Sequence, residues 1–299
     1  MVWLLLLAAC TSQPQPEPET TASVVPPATT AAVLTTTSTP ATTLPAPTTT
    51  PTTTTVPPEP GTVRPDWLGT RVLPERADGL GEIQSTPIEM INRRFPTIDL
   101  LDPPASSEFV GTFGPIPPDV LHRSTWREEC PVGVDDLSYL VVSFYGFDDE
   151  PHLGELIVNA EFGEQMVDVF RVIYEQRFPL EQMRVITFPE LDAPPTGDWN
   201  DTTSFVCRPV VAQDSGWSMH AYGLAIDLNP FHNPYWRGEV VVPELAMAYT
   251  DRANVRPGML IPEDPGAIAI IDAFAAMGWE WGGNWQTLKD WMHFSENGR

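Results

Sequence analysis

The chain has 299 residues, a formal net charge of −24 at pH 7 and a sequence pI near 4.3. No cluster of Lys and Arg residues interrupts this acidity, so the sequence argues against a nucleic-acid partner. The composition is uneven, because residues 11–62 consist almost wholly of Thr, Pro, Ala, Ser and Val, whereas most large apolar side chains lie beyond Trp67.

The first ten residues form a short apolar run that ends in Leu7-Ala8-Ala9-Cys10. Small residues before a cysteine, after an apolar stretch, resemble the lipobox of bacterial lipoproteins, in which the cysteine becomes the lipid-bearing N-terminus. The run is shorter than the 20 or so residues that span a bilayer. Its lack of a basic region, which a full export signal should have, leaves open whether the true start lies upstream.

We therefore expect residues 1–10 to be a lipoprotein-type export signal, with lipidation at Cys10 anchoring the protein to the membrane outside the cytoplasm. The alternatives are an ordinary export signal, giving a secreted protein, and the remnant of a membrane helix. Residues 11–62 have too few large apolar side chains to offset the entropy of ordering, which predicts a disordered Thr/Pro-rich spacer. Many prolines and little periodicity in residues 63–128 predict a loop-rich lead-in that packs on a folded domain of residues 129–299.

Secondary-structure signals become clear beyond Cys130. Short β-branched or aromatic runs at residues 139–147 and 154–159 predict a β-hairpin. Apolar residues at helical spacing then predict an amphipathic helix that ends before Pro179; they are Phe162, Met166, Val169, Phe170 and Ile173. Residues 183–188 and 224–228 are typical of strands.

A second helix is predicted to begin at Asp264 as the N-cap, with Pro265 at the first helical position, and to end at Gly278. Its expected buried stripe consists of Ile268, Ile271, Phe274 and Ala275. Hairpins and helices in this order predict an α+β fold with a small antiparallel sheet and packed helices.

Four residues in two short segments could form a metal site with a nearby base. Strand alternation in residues 223–228 places Asp227 on the face of its small neighbours, and His220 lies just before that strand. Asp290 precedes His293 by three residues, a separation that can direct both side chains to one point. Three protein ligands plus a water make a catalytic zinc site, and a nearby carboxylate can take a proton from that water.

The pattern Ser-x-His-x6-Asp followed by Asp-x-x-His resembles the zinc D,D-carboxypeptidases and dipeptidases of the VanY/VanX type and the related L-alanyl-D-glutamate peptidases. The similarity extends from about Arg123 to the C-terminus. It implies a Hedgehog/D,D-peptidase fold and one Zn²⁺. The implied roles are metal binding by His220, Asp227 and His293, catalytic base for Asp290, transition-state stabilisation by Arg208 and substrate contact by Ser218.

The resemblance and the predicted export together imply hydrolysis of a peptide bond in peptidoglycan stem peptides, of the D-Ala-D-Ala carboxypeptidase or L-Ala-D-Glu endopeptidase type, by a monomeric zinc metallopeptidase. Which bond is cut stays open. A catalytically silent zinc-containing binding module of the cell envelope is the main alternative. A tethered structural lipoprotein, whose long spacer is its purpose, is another.

The remaining cysteines, Cys130 and Cys207, form an even pair in an exported domain and predict a disulfide, with two separate buried thiols as the alternative. The other histidines, His122, His152 and His232, fit no required catalytic role. For the tryptophans near the C-terminus, core packing is the expected use, with one or two shared with a substrate groove; they are Trp279, Trp281, Trp285 and Trp291.

Overall fold

The computed structural model describes residues 59–210 and 216–298, which lie in one unit, Thr55–Arg299. The predicted signal with Cys10, and the spacer up to residue 58, lie outside the described residues. Within the described ranges, no helix has the length and apolar character needed to cross a membrane.

The largest sheet has three antiparallel strands in the order β1-β2-β3, comprising β1 (Gly111–Gly114), β2 (Leu137–Tyr145) and β3 (Pro151–Asn159). Helix α1 (Pro118–Arg123) lies between β1 and β2 in the chain. The predicted hairpin is confirmed, with Leu140 opposite Leu156 in its register. Both side chains are fully buried, because this face of the sheet packs in the main hydrophobic core.

Helix α2 (Gly163–Glu175) confirms the predicted amphipathic helix. Its apolar stripe of Met166, Val169, Phe170 and Ile173 is buried in the same core as the inner residues of β2. The period of 3.6 residues, read from the sequence, therefore selected the correct buried face.

After α2 the chain forms β4 (Gln182–Met183), which pairs in parallel with β5 (Asp201–Thr202). The strand predicted for residues 183–188 is wrong beyond its first residue. The chain turns at Thr187 into a 3₁₀ helix, Phe188–Asp192, because the Glu190 carboxylate accepts hydrogen bonds from the Thr187 backbone N–H at 2.8 Å and from its hydroxyl at 2.6 Å.

Six short strands in the last third of the chain build two small antiparallel sheets. One has the order β6-β11-β9, from β6 (Ala225–Asp227), β11 (His293–Ser295) and β9 (Glu280–Trp281). The other has the order β10-β7-β8, from β10 (Lys289–Asp290), β7 (Tyr235–Arg237) and β8 (Val240–Val242). The strand predicted at residues 224–228 is thus present as β6.

Helix α3 (Pro265–Ala276) begins as predicted, with the Asp264 carboxylate accepting a hydrogen bond from the Ala267 N–H at 2.9 Å. The predicted buried stripe is wrong in part. Ile268 and Ala275 are exposed, and the buried residues are Ala267, Ile270 and Phe274. The helix is apolar on most sides, so its sequence fits several choices of buried face. On the face that is buried, Phe274 stacks on Phe294 with ring centroids 4.0 Å apart.

Residues before β2 share a second hydrophobic core with the C-terminal half. Leu73, Met90 and Phe95 are buried in it together with Phe231 and Tyr249. A buried ion pair joins the same two parts, because the guanidinium of Arg93 donates to both carboxylate oxygens of Glu181 at 2.6 and 2.8 Å.

Cys130 and Cys207 are joined by a disulfide, as predicted, with their Cα atoms 5.9 Å apart. Helices combined with small, mainly antiparallel sheets agree with the predicted mixed α and β class. Kinship to the Hedgehog/D,D-peptidase fold stays a prediction.

Candidate metal and catalytic site

Three predicted ligands meet at one buried point. His220 lies in a 3₁₀ turn, Met219–Tyr222, Asp227 ends β6, and His293 begins β11 directly opposite Asp227 in the strand pairing. One potential ligand atom from each residue lies within 4.8 Å of those of the other two, and all three residues are buried. Strand pairing thus connects the two segments, which are more than 60 positions apart in the sequence.

The turn that carries His220 is fixed at both ends. Ser218 caps its start, where its hydroxyl accepts a hydrogen bond from the His220 N–H at 3.3 Å. Gly223 ends it with φ of +67°, and a Cβ at Gly223 would lie 2.5 Å from the backbone N of Asn159. A side chain at this position would therefore collide with the end of β3 and displace the turn.

The hydrogen bonds of His220 leave one ring nitrogen directed at the cluster. Its Nδ1 donates to the carbonyl oxygen of Ser204 at 2.6 Å, which places the lone pair of a neutral ring on Nε2. Nε2 lies 3.3 Å from Oδ2 of Asp227, and His293 Nδ1 lies 3.0 Å from Oδ1 of the same carboxylate. In a neutral His220 ring, Nε2 and the Asp227 Oδ2 atom are both acceptors, and at this distance they need a proton or a cation between them.

The charge balance also suits a cation. Burial by itself would raise the pKa of Asp227, but the charge and hydrogen bond of His220, with further contributions from His293, hold this pKa well below its usual value. Two imidazoles and one carboxylate are the borderline donor set that zinc prefers, and three such ligands leave one position open. The residues present therefore fit a zinc ion.

Asp290 lies beside this cluster without joining it. Its Oδ1 atom is buried and has no hydrogen-bond partner among residues 59–210 and 216–298. Burial raises the pKa of Asp290 to about 7; His293 and Arg208 oppose this shift and Asp227 adds to it. Gly282 permits the close approach of β10, because a Cβ there would lie 2.6 Å from the Asp290 carbonyl oxygen.

Arg208 and Ser218 face the same site from adjacent extended segments. The Ser218 N–H donates to the Arg208 carbonyl at 3.2 Å. Burial lowers the pKa of Arg208, while the charges of Asp227 and Asp290 act in the opposite direction. Arg208 lines the same cleft as both carboxylates. The disulfide at the preceding residue, Cys207, attaches this segment to residue 130.

An open cleft of about 1750 Å³ contains all of the predicted site residues apart from the disulfide and Cys10. Trp285 lines this cleft and lies 5.8 Å from the His293 ring, whereas Trp279, Trp281 and Trp291 are buried in the core. Core packing is therefore confirmed for three of the four tryptophans, and a substrate contact by Trp285 stays a prediction.

The remaining histidines lie elsewhere. His232 is fully buried and donates from Nε2 to the carbonyl of Arg93 at 2.9 Å. His152 contacts the carboxylates of Asp99 and Asp148, and His122 is exposed on α1. None of the three belongs to the metal cluster.

Sequence reasoning did not identify two contributions to the site. The Ser204 carbonyl orients His220, and a backbone group leaves no signal in the sequence. Tyr235 and Arg237 line the cleft from β7, and only the pairing of β7 with β10 brings them beside Asp290.

Residues 212–296 match the model of the D-alanyl-D-alanine carboxypeptidase family. The predicted resemblance is confirmed for this stretch, which includes the three clustered residues, Asp290 and Ser218, whereas Arg208 precedes it. The match supports a peptidase related to peptidoglycan. Neither a curated protein nor a solved structure matches the chain significantly.

Proposed function

We propose that the protein is a zinc metallopeptidase that hydrolyses a peptide bond in peptidoglycan stem peptides, of the D-Ala-D-Ala carboxypeptidase or L-Ala-D-Glu endopeptidase type. The observation that carries this proposal is a buried cluster of three ligand-type residues with a separate carboxylate, Asp290, in the same cleft. A structural zinc site needs a fourth protein ligand. Within the described ranges, no fourth His, Cys, Asp or Glu joins the cluster.

His220, Asp227 and His293 would hold the zinc. Bound zinc supplies Lewis acidity and lowers the pKa of its water to about 7. The Ser204 carbonyl keeps His220 in the tautomer that a ligand requires.

The other site residues have distinct proposed roles. Asp290 takes a proton from the attacking water and delivers it to the leaving amine. Its Oδ1 atom, which has no hydrogen-bond partner among the described residues, is available for this transfer. Arg208 stabilises the oxyanion that develops on the substrate carbonyl. Ser218, half-buried beside His220, contacts the substrate.

The cellular setting is also part of the proposal. Export through residues 1–10, a lipid on Cys10 and a spacer over residues 11–62 would hold a monomeric enzyme at the cell envelope, where its substrate lies.

The test combines metal analysis with a peptide panel. We expect the purified protein to contain about one zinc and to cleave a member of a panel of D-Ala-D-Ala and L-Ala-D-Glu peptides, followed by mass spectrometry. Asp290→Asn should keep the zinc and lose on the order of 10²–10⁴ in turnover. Asp272→Asn, an exposed position on α3, is the matched control and should leave turnover unchanged. If the zinc-loaded protein cleaves no peptide, the binding-module alternative replaces the proposal.

A further inference from the structure

One face of the β10-β7-β8 sheet forms a wall of the cleft. Asp290 is opposite Tyr235 in the strand pairing, and Arg237 is two residues further along β7. Directly opposed residues, and residues two apart in a strand, place their side chains on the same face. Asp290, Tyr235 and Arg237 therefore share a face, and all three line the cleft.

The intervening residue of β7 confirms this alternation. Trp236 lies on the opposite face, where it stacks on Trp291 with ring centroids 6.0 Å apart and does not line the cleft. The side chain of Arg237 is thus directed by its strand to the side that carries Asp290.

Among the described residues, Arg237 lines the cleft without an acidic partner, whereas three other cleft arginines are paired. Arg93 and Arg64 both contact the Glu181 carboxylate, at 2.6 and 3.4 Å. Arg184 contacts the carboxylates of Glu190 and Asp201 at 2.6 and 2.9 Å. Arg208 forms no ion pair within the described ranges either, but its proposed role is already stabilisation of the oxyanion. Across residues 59–210 and 216–298, no carboxylate lies within ion-pair distance of Arg237, although the chain carries a net charge of −24.

We propose that Arg237 is a specificity residue that binds a carboxylate of the peptide substrate close to the scissile bond. This inference rests on the proposed function, because the position of the scissile bond is taken from Asp290. Diagonal neighbours in an antiparallel pair are about 7–8 Å apart, which is the span of about two extended residues. The carboxylate therefore belongs to a residue next to the scissile bond or one further along.

The planar guanidinium matches a carboxylate with two parallel hydrogen bonds. Two groups of a stem peptide offer this chemistry: the C-terminal carboxylate, and the free carboxylate of a glutamyl residue within the peptide. Arg237 could make the same contact with either carboxylate, and amidating one of them at a time distinguishes the two.

The test measures binding in the zinc-loaded Asp290→Asn protein, so that the peptide stays intact. Calorimetry compares a stem peptide with both carboxylates free, the peptide with only the C-terminus amidated, and the peptide with only the glutamyl carboxylate amidated. We expect one of the two amidations to weaken binding about 10- to 100-fold, as loss of a charge-assisted hydrogen-bond pair should. The amidation that weakens binding identifies which of the two carboxylates Arg237 binds.

Adding Arg237→Gln should remove the difference between the free and amidated peptides, and Arg237→Lys should keep part of it. Arg171→Gln, on α2, is the matched control and should preserve the full difference. If the preference survives Arg237→Gln, or if no peptide binds the zinc-loaded protein, the subsite assignment is overturned. Arg237 is exposed, so an unchanged melting temperature should show that the variant is folded.

Failure of the subsite and failure of the proposed function give different results. If the protein with Asp290 intact cleaves no peptide but binds with an Arg237-dependent preference, hydrolysis is rejected and the subsite stands. If it cleaves peptides and Arg237→Gln leaves KM unchanged for both free and amidated forms, the subsite alone is rejected.

Discussion

Replacing Gly282 by alanine should damage catalysis without removing the metal. A Cβ at this position would lie 2.6 Å from the carbonyl oxygen of Asp290 and 2.9 Å from its Cβ, whereas ordinary Cβ contacts begin near 3.4 Å. The backbone of β10 must therefore move by about 0.8 Å, the difference between the first distance and ordinary contact. Misplacing a catalytic group by about 1 Å can cost 10²-fold in rate, so we expect kcat to fall on the order of 10².

The assay measures release of the product amino acid from the best peptide of the panel, together with zinc content and thermal unfolding. Zinc content should stay the same, since none of the three ligands is moved directly, and overpacking should lower the free energy of unfolding by about 1–3 kcal/mol. Gly114→Ala is the matched control, because a Cβ there meets nothing within 4 Å. Equal kcat values for the two variants would refute the idea that Gly282 positions the base.

Three further predictions concern stability. Burial lowers the pKa of His232 from 6.5 to about 4, so between these pH values the unfolded chain binds a proton at His232 and the folded protein does not. The free energy of unfolding therefore keeps its full His232 contribution above pH 6.5 and should fall by about 3 kcal/mol towards pH 4. Denaturant titrations across this range should show a flatter profile in His232→Gln and an unaltered one in His122→Gln. Reducing the disulfide, which closes a loop with a sequence separation of 77 residues, should cost about 4–5 kcal/mol in the chain-entropy account, measured by guanidinium unfolding with and without reductant. Phe274→Ala should cost about 3–5 kcal/mol and the exposed Ile268→Ala less than about 0.5, and similar values for both would contradict the observed face of α3.

Local pattern was enough to predict the hairpin, α2 and the start of α3, because alternation, helical spacing and an Asp-Pro N-cap each act over a few neighbouring residues. The strand predicted at residues 183–188 failed for a physical reason. Glu190 accepts hydrogen bonds from Thr187 and pairs with Arg184, which also pairs with Asp201. These side-chain contacts favour the turn over the extended form that propensity alone indicates.

The candidate site likewise contains residues that local sequence pattern identifies and residues that depend on the pairing of distant strands. His220, Asp227, Asp290 and His293 were identifiable, since their residue types and spacing fit metal chemistry and a family motif. Arg237 was not, because its relation to Asp290 arises from the register of β7 on β10, and a register between short distant strands leaves no periodic signal.

The buried pair of Arg93 and Glu181 sets a limit on how this protein can be divided. The stretch that matches a family begins at residue 212, yet removing residue 93 would strand a buried negative charge, a loss of about 3–5 kcal/mol. A fragment made only of the matching residues, 212–296, would lack both members of this ion pair and both cysteines of the disulfide. Trimming the chain by protease between residues 93 and 181 would keep Glu181 without Arg93 and should therefore yield an unstable product. The part of the chain that folds as a unit is longer than the stretch that matches the family.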